Sequence, residues 1–243
     1  MSVEISGLSC RGRNEHGLTN ISLSVARGNA CLLLGPNGAG KSLLLATLVG
    51  LVRPTAGRVV VNGLDLVRQT TAVRRATGYL PQLPSAFVGL TVYEQLDFLA
   101  RCHGLVGRER EESVTTMLEV VGLLEVSRME AALLTPGQQR RLALAGALVH
   151  HPAVLLLDTP LAGLDVAGRE ELLEVLHEVR ALGATCLIAS DRPAEVFGLC
   201  TQAAVLDAGL LRWYGPIADL PAEYGGTATP APSSAGEVLG GVS

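Results

Sequence analysis

The sequence predicts an α/β fold: a parallel-sheet core with an N-terminal antiparallel β subdomain and an α-helical insertion. Three observations predict it. Two segments near the start alternate apolar and polar residues. Three short, largely apolar runs follow at wide intervals. A long stretch of helical spacing separates the first of these runs from the second.

Val3–Leu8 and Ile21–Val25 have period 2, as strands with one buried face do. Ala30–Leu34 is apolar throughout and stops at Gly35-Pro36, which predicts a central strand ended by a glycine-rich turn. Leu43–Leu51 follows as a helix. Arg58–Val61 runs into Asn62-Gly63, a hairpin turn pair. Between about residues 86 and 150 the spacing becomes helical. Val92, Leu96 and Leu99 recur at intervals of four and three, as do Val114, Met117, Leu118 and Val121. Val154–Leu157 is the second apolar strand. Glu170–Leu182 places Leu172, Leu173, Val175, Leu176 and Val179 on one helical face, and Gly183 suits its C-terminal stop. Thr185–Ala189 is the third strand. Trp213 and Tyr214 read as packing residues. In the last 19 residues, Gly225–Ser243, 15 are Gly, Ala, Pro, Ser or Thr, too few apolar groups to offset the entropy of ordering. The folded domain is therefore expected over residues 1–224, with a disordered tail after it.

At 243 residues, 48% hydrophobic and 17% charged, the chain can bury a full core. Aromatics are only 3%, which argues against a stacking platform for single strands. Net charge −4 and a pI near 5.7 give no basic footprint, so no nucleic-acid partner is expected. Cys10, Cys31, Cys102, Cys186 and Cys200 form no C-x-x-C pair and read as buried small hydrophobes in a reducing compartment. Mean hydropathy is +0.36, yet runs such as Leu142–Val149 fall far short of the roughly 20 residues of a spanning helix. The N-terminus lacks the pattern of a signal peptide. Work at a membrane would need another subunit to hold the chain there.

Gly35-Pro36-Asn37-Gly38-Ala39-Gly40-Lys41-Ser42 matches G-x-x-x-x-G-K-[ST] between an apolar strand and a helix, and it marks the core as that of a P-loop NTPase. Glycines let backbone N–H groups turn around phosphate oxygens, and the helix N-terminus adds partial positive charge. Lys41 reaches the outer phosphates, and the Ser42 hydroxyl holds Mg²⁺. Asp158, closing the second apolar strand, belongs in the Mg²⁺ shell. The expected cofactors are ATP and Mg²⁺.

Four further segments resemble the ATP-binding cassette (ABC) ATPases. Gly78-Tyr79-Leu80-Pro81-Gln82 is similar to their glutamine loop. Leu134-Thr135-Pro136-Gly137-Gln138-Gln139-Arg140-Arg141 resembles the signature L-S-G-G-Q-x-x-R. Asp158-Thr159-Pro160-Leu161-Ala162-Gly163-Leu164-Asp165 resembles D-E-P-x-x-G-L-D, Walker B running into the D-loop. Leu90–Leu105 follows the helical-insert pattern. The resemblance covers about residues 3–220 and points to the cytoplasmic subunits of importers and exporters, the exporter type favoured. It implies a head-to-tail dimer, with ATP between the P-loop of one subunit and the signature of the other. Thr135, Gly137, Gln138 and Asp165 would then serve a nucleotide across the dimer, and Gln82 would join Ser42 and Asp158 at the metal. A membrane permease would dock near the glutamine loop, with Ala86–Glu94 as the docking edge. The chain would sit peripherally on the inner face of the cell membrane.

This chain departs from the pattern at three places. Thr159 stands where the family has the glutamate that polarises water, and a neutral hydroxyl in that role implies a loss of about 10²–10⁴ in rate. Asp191 falls where the family has a histidine facing the γ-phosphate; a shift of one residue would put Ser190 there. Asp191 either repels the phosphate, serves the Mg²⁺ shell or replaces the missing base. The usual aromatic after the first strand is absent from Cys10–Asn14. Arg11 or Arg13 either stacks on adenine or is simply solvated. In the signature, Thr135 and Gln138 have capping-box spacing and Pro136 suits the first helical position.

The losses fall on the P-loop side and leave the signature usable. This implies slow hydrolysis at the chain's own site and a heterodimer with a competent second ABC subunit. The alternative is a nucleotide-sensing, near-inactive cassette that regulates or scaffolds a partner. A soluble cassette of DNA maintenance or translation is disfavoured by the lack of a coiled-coil arm, a second cassette and a basic patch. His150-His151, as neighbours on a helix, would diverge and make no metal site. Asp65 reads as a loop acid.

Overall fold

The computed structural model describes residues 1–12, 17–190 and 192–225. Two sheets organise them. Strands β1 (Val3–Arg11), β2 (Gly17–Val25), β4 (Ala56–Val61) and β5 (Leu64–Asp65) form an antiparallel sheet in the order β2-β1-β4-β5. This is the N-terminal antiparallel subdomain that the alternating segments predict. β3 (Ala30–Leu34), β6 (Thr77–Leu80), β7 (Val154–Asp158), β8 (Thr185–Ala189), β9 (Gln202–Asp207) and β10 (Leu210–Pro216) form the second sheet, ordered β10-β9-β3-β8-β7-β6. All its pairings are parallel except β9 with β10. β3, β7 and β8 are buried at every residue; β3 is apolar throughout, β7 up to its closing Asp158 and β8 after its opening Thr185.

Helix α1 (Lys41–Leu48) follows β3, and α2 (Thr70–Ala76) precedes β6. Between β6 and β7 come α3 (Val92–Cys102), α4 (Gly107–Val120) and α5 (Pro136–Leu148). α6 (Val166–Ala181) joins β7 to β8, and α7 (Pro193–Val196) follows β8. α3 and α5 each start in a full capping box, Thr91 with Glu94 and Thr135 with Gln138. Three apolar clusters result. One lies between the antiparallel sheet, α1 and one face of the parallel sheet. The second packs α5 and α6 on the opposite face. The third fills the helices between β6 and β7, around Val92, Leu96, Val114 and Leu118. Tyr214 ties the two sheets: its hydroxyl donates to the Ser24 carbonyl and accepts from Gln202 Nε2 at 3.0 Å.

Several elements differ from the sequence reading. α1 ends at Leu48 rather than Leu51, where the chain turns through Gly50 at φ +75°. α6 starts four residues before Glu170, because Asp165 caps it. The β9–β10 hairpin carries a signal that the reading passed over: the apolar run Ala203–Leu206 followed by Asp207-Ala208-Gly209, with Ala208 and Gly209 at φ +48° and +77°. His150 and His151 do not sit on a helix; they follow α5, and His151 has φ +50°. The His150 ring stacks on His103 with centroids 3.5 Å apart. Among the described residues no group of three or more His, Cys, Asp or Glu could hold a metal. Cys102 is exposed and the other four cysteines are buried. Asp65 accepts from the Val67 and Arg68 amides, both at 3.1 Å. No helix among the described residues is long and apolar enough to cross a membrane.

Candidate functional site

The parallel strands deliver the chemistry to one edge. Leu80 pairs with Leu157, and Asp158 with Ala189, so the loops after β6, β7 and β8 leave the sheet side by side, next to the loop after β3. That loop closes tightly. Gly35, Gly38 and Gly40 have φ of +138°, +82° and +106°, a region that side chains disfavour. A Cβ at Gly35 would lie 2.0 Å from the Leu206 carbonyl oxygen, so the loop also packs directly on β9. Lys41 Nζ donates to the carbonyls of Gly35 at 2.7 Å and Pro36 at 3.1 Å, which holds the ammonium over the loop. The first N–H groups of α1 face the same space and contribute the positive end of its dipole.

A cleft of about 580 Å³ adjoins this loop. It brings together Asn37, Gly38, Ala39, Gly40, Lys41 and Ser42 with Gln82, Asp158 and Thr159. Gly12 and Gly17 line it as well, beside Arg11, which is exposed at the end of β1. Gly35 and Pro36 line a neighbouring hollow of about 620 Å³ with Ser190, Asp207 and Arg212. Ser190 Oγ accepts from the Arg192 amide at 3.0 Å. Asp191, Arg13 and the segment after Gly225 lie outside the described residues.

Asp158 is 2% exposed, and its Oδ2 has no hydrogen-bond partner. Burial pushes its carboxyl above the usual range; a hydrogen bond with the Ser42 hydroxyl and the charges of Lys41 and Arg140 act against that rise. Thr159 sits at φ +49° with its amide donating to Ala189 O at 2.8 Å. A β-branched residue in that region is strained. Its Oγ1 is buried without a partner.

A second cleft of about 440 Å³ collects Thr135, Gly137, Gln138 and Asp165, with Arg141 beside them. Most of these side chains are already engaged. Gln138 Oε1 accepts from the Thr135 amide at 3.0 Å, and Thr135 Oγ1 accepts from the Gln138 amide at 3.3 Å. Asp165 Oδ1 accepts from the Gly168 amide at 2.9 Å, capping α6. Gly137 stays open, since a Cβ there would meet nothing closer than 3.6 Å. The structure thus gathers the predicted residues in two separate places, one at the end of the sheet and one at the start of α5.

Arg140 is the participant that the sequence reading missed. It lines the first cleft and is 5% exposed, and its guanidinium donates to the carbonyls of Pro81 at 3.1 Å and Gln82 at 2.7 Å. Its presence in the run Gln138–Arg141 was legible; its burial depends on how α5 packs against the loop after β6.

The ABC transporter family model matches residues 18–162. The chain is 34% identical over 218 residues to the uncharacterized ABC transporter ATP-binding protein YxlF of Bacillus subtilis, covering 90% of this chain and 72% of that one. The chain belongs to the ABC transporter family, as an ATP-binding subunit. To the daunorubicin resistance ATP-binding protein DrrA3 of Streptomyces coeruleorubidus this cassette is 35% identical over 225 residues, 93% of its own length and 71% of the relative's. A solved structure of an ATP-binding subunit of an ABC transporter superposes with a TM-score of 0.85 at 27% identity, covering 94% of this chain and 95% of that one. ABC cassettes bind ATP with Mg²⁺. The cleft fits such a ligand: an orphaned buried carboxylate oxygen at Asp158 calls for a cation, and the glycine loop with Lys41 calls for an anion beside it.

Proposed function

We propose that this cassette holds Mg-ATP in the cleft at Lys41 against the signature edge of a second, competent cassette, and that it hydrolyses its own nucleotide slowly. The observation that carries the proposal is the separation of the two clefts. Asn37–Ser42, Gln82 and Asp158 face one; Thr135, Gly137, Gln138 and Asp165 face the other. One chain therefore presents two half-sites, and a second cassette completes each.

When bound, Mg-ATP supplies the phosphoanhydride whose cleavage powers transport. The chain's own residues do the rest. Amides of Asn37–Ser42 and the Lys41 ammonium bind the phosphates. The Ser42 hydroxyl, the Gln82 amide and the Asp158 carboxylate hold the cation. In the signature cleft, the Gly137 amide and the Thr135 edge bind the partner's nucleotide, with Asp165 fixing the adjacent turn. Thr159 offers water a neutral hydroxyl in place of a carboxylate, which supports slow hydrolysis. Asp191 either repels the γ-phosphate, serves the Mg²⁺ shell or replaces the missing base.

The permease edge has physical support. Leu83 and Val88 are about 85% exposed, and Phe87 packs edge-on against exposed Phe98 with ring centroids 5.8 Å apart. This apolar ridge lies beside Gln82 and overlaps Ala86–Glu94. A permease docked there would hold the chain on the inner face of the membrane and feel movement of the Gln82 loop. The strained, neutral Thr159 supports a second reading, a near-inactive nucleotide sensor that regulates its partner.

Calorimetry on the full chain tests binding: Mg-ATP releases heat with wild type and none with Lys41→Ala. Turnover tests the division of labour. The chain alone is slow, and a partner cassette with an intact D-E-P motif raises the rate. Fast turnover by the chain alone overturns the heterodimer; no rise with any partner favours the sensor.

A further inference from the structure

Arg140 is the fifth residue of α5, a helix whose start lines the signature cleft. Its own side chain enters the other cleft. A buried guanidinium needs acceptors, and Arg140 finds two consecutive carbonyls, Pro81 O at 3.1 Å and Gln82 O at 2.7 Å. Both belong to the loop after β6, where exposed Leu83 shows that little else packs the chain down. Asp158 faces the same cleft. The planar fork of arginine suits this pair of acceptors; an ammonium satisfies at most part of the geometry, and an apolar side chain none of it.

We propose that Arg140 is a positioning residue that holds the Gln82 loop in register with Asp158 and ties that register to the start of α5. The inference rests on the reading that this cleft binds Mg-nucleotide. α5 is 13 residues long and starts in a capping box, so its first two turns move as one body. Any displacement of Thr135–Gln138 by a nucleotide across the dimer is passed through Arg140 to the carbonyls of Pro81 and Gln82. The same link reports the state of Gln82 back to the signature edge, as reciprocity requires. Arg140 acts through the backbone carbonyls of Pro81 and Gln82.

The test uses the full chain as wild type, Arg140→Met, Arg140→Lys, Gln82→Ala and the double variants. Hydrogen exchange without nucleotide is expected to speed up in residues 80–86 of Arg140→Met, with residues 35–42 unchanged. Mg²⁺ titrated against fixed ATP in calorimetry is expected to show half-saturation raised about 10- to 100-fold, the usual cost of losing an outer-shell support. Arg140→Lys falls between. In the Gln82→Ala background, adding Arg140→Met changes half-saturation by less than about twofold, because both act through one group. Wild-type Mg²⁺ dependence in Arg140→Met, or effects that multiply in the double variant, overturns the assignment. If Arg140→Met fails to fold, the cycle of Arg140→Lys with Gln82→Ala decides by the same criterion. Absence of nucleotide binding by wild type overturns the functional reading and this inference together, which separates that failure from additive variants.

Discussion

Thr159→Glu puts a carboxylate directly after Asp158, on the wall that faces Lys41, Ser42 and Gln82. The present side chain supplies only a buried hydroxyl with no partner. Such a hydroxyl cannot accept a proton at neutral pH, whereas a carboxylate can. General-base assistance is worth about 10²–10⁴ in rate, or roughly 2.7–5.4 kcal/mol at about 1.36 kcal/mol per tenfold. The cost is repulsion from Asp158. Two unit charges at about 5 Å with an effective dielectric of about 20 repel by roughly 3 kcal/mol. Lys41, Arg140 and a bound cation offset that repulsion, so the variant melts lower without Mg²⁺ and recovers with it. Removing a β-branch from φ +49° eases the backbone by a fraction of the usual cost of about 1–3 kcal/mol for such strain. The assay is phosphate release at saturating Mg-ATP, with Thr159→Gln as the uncharged control of equal size. A folded Thr159→Glu protein that binds nucleotide yet turns over no faster than Thr159→Gln refutes the reasoning, because the geometry at the end of β7 would then not place a base.

Asp158→Asn should raise the melting temperature of the metal-free chain at pH 7 and abolish the Mg²⁺ dependence of ATP binding in calorimetry. Burial lifts the Asp158 carboxyl in the folded state, so the native protein binds more protons than the unfolded chain above the ordinary value, and stability falls as pH rises through that window. Asparagine removes the penalty, and a melt that is flat against this substitution from pH 4 to 7 counts against it. His150 has the opposite sign: burial and the neighbouring His103 push it down to about 3, so its contribution is present above the ordinary value near 6.5 and is lost as pH falls toward 3. His150→Phe keeps a stacked ring and is expected to shrink the loss of stability between pH 6.5 and 4 in denaturant titrations. Gly78→Ala drives a Cβ to 2.1 Å from the Ala147 carbonyl oxygen, a backbone atom that cannot step aside, and should cost about 1–3 kcal/mol in urea unfolding. An unchanged urea midpoint would show that β6 and α5 are not packed as described.

Much of this protein was readable from the chain because local chemistry decides it. A glycine loop between an apolar strand and a helix gives the phosphate cradle wherever it occurs, since φ > 0 and an N-terminal dipole are properties of a few consecutive residues. The same holds for β3 and β8, whose bounds are those read from the sequence, and for the capping box at Thr135. The D-A-G turn at Ala208 was equally local and was passed over. Other features exist only after the strands take their order. Asp158 gains a raised carboxyl because β7 lies inside the sheet, and Thr159 gains its strained backbone because its amide reaches Ala189 on β8. Arg140 looks on paper like any helix-surface arginine. It becomes a buried clamp on Gln82 only when α5 docks against the loop after β6, the two residues being 58 positions apart in the chain. Sequence sets what one short segment can do by its dihedrals and side chains; desolvation and long-range hydrogen bonding depend on which distant segment arrives beside it.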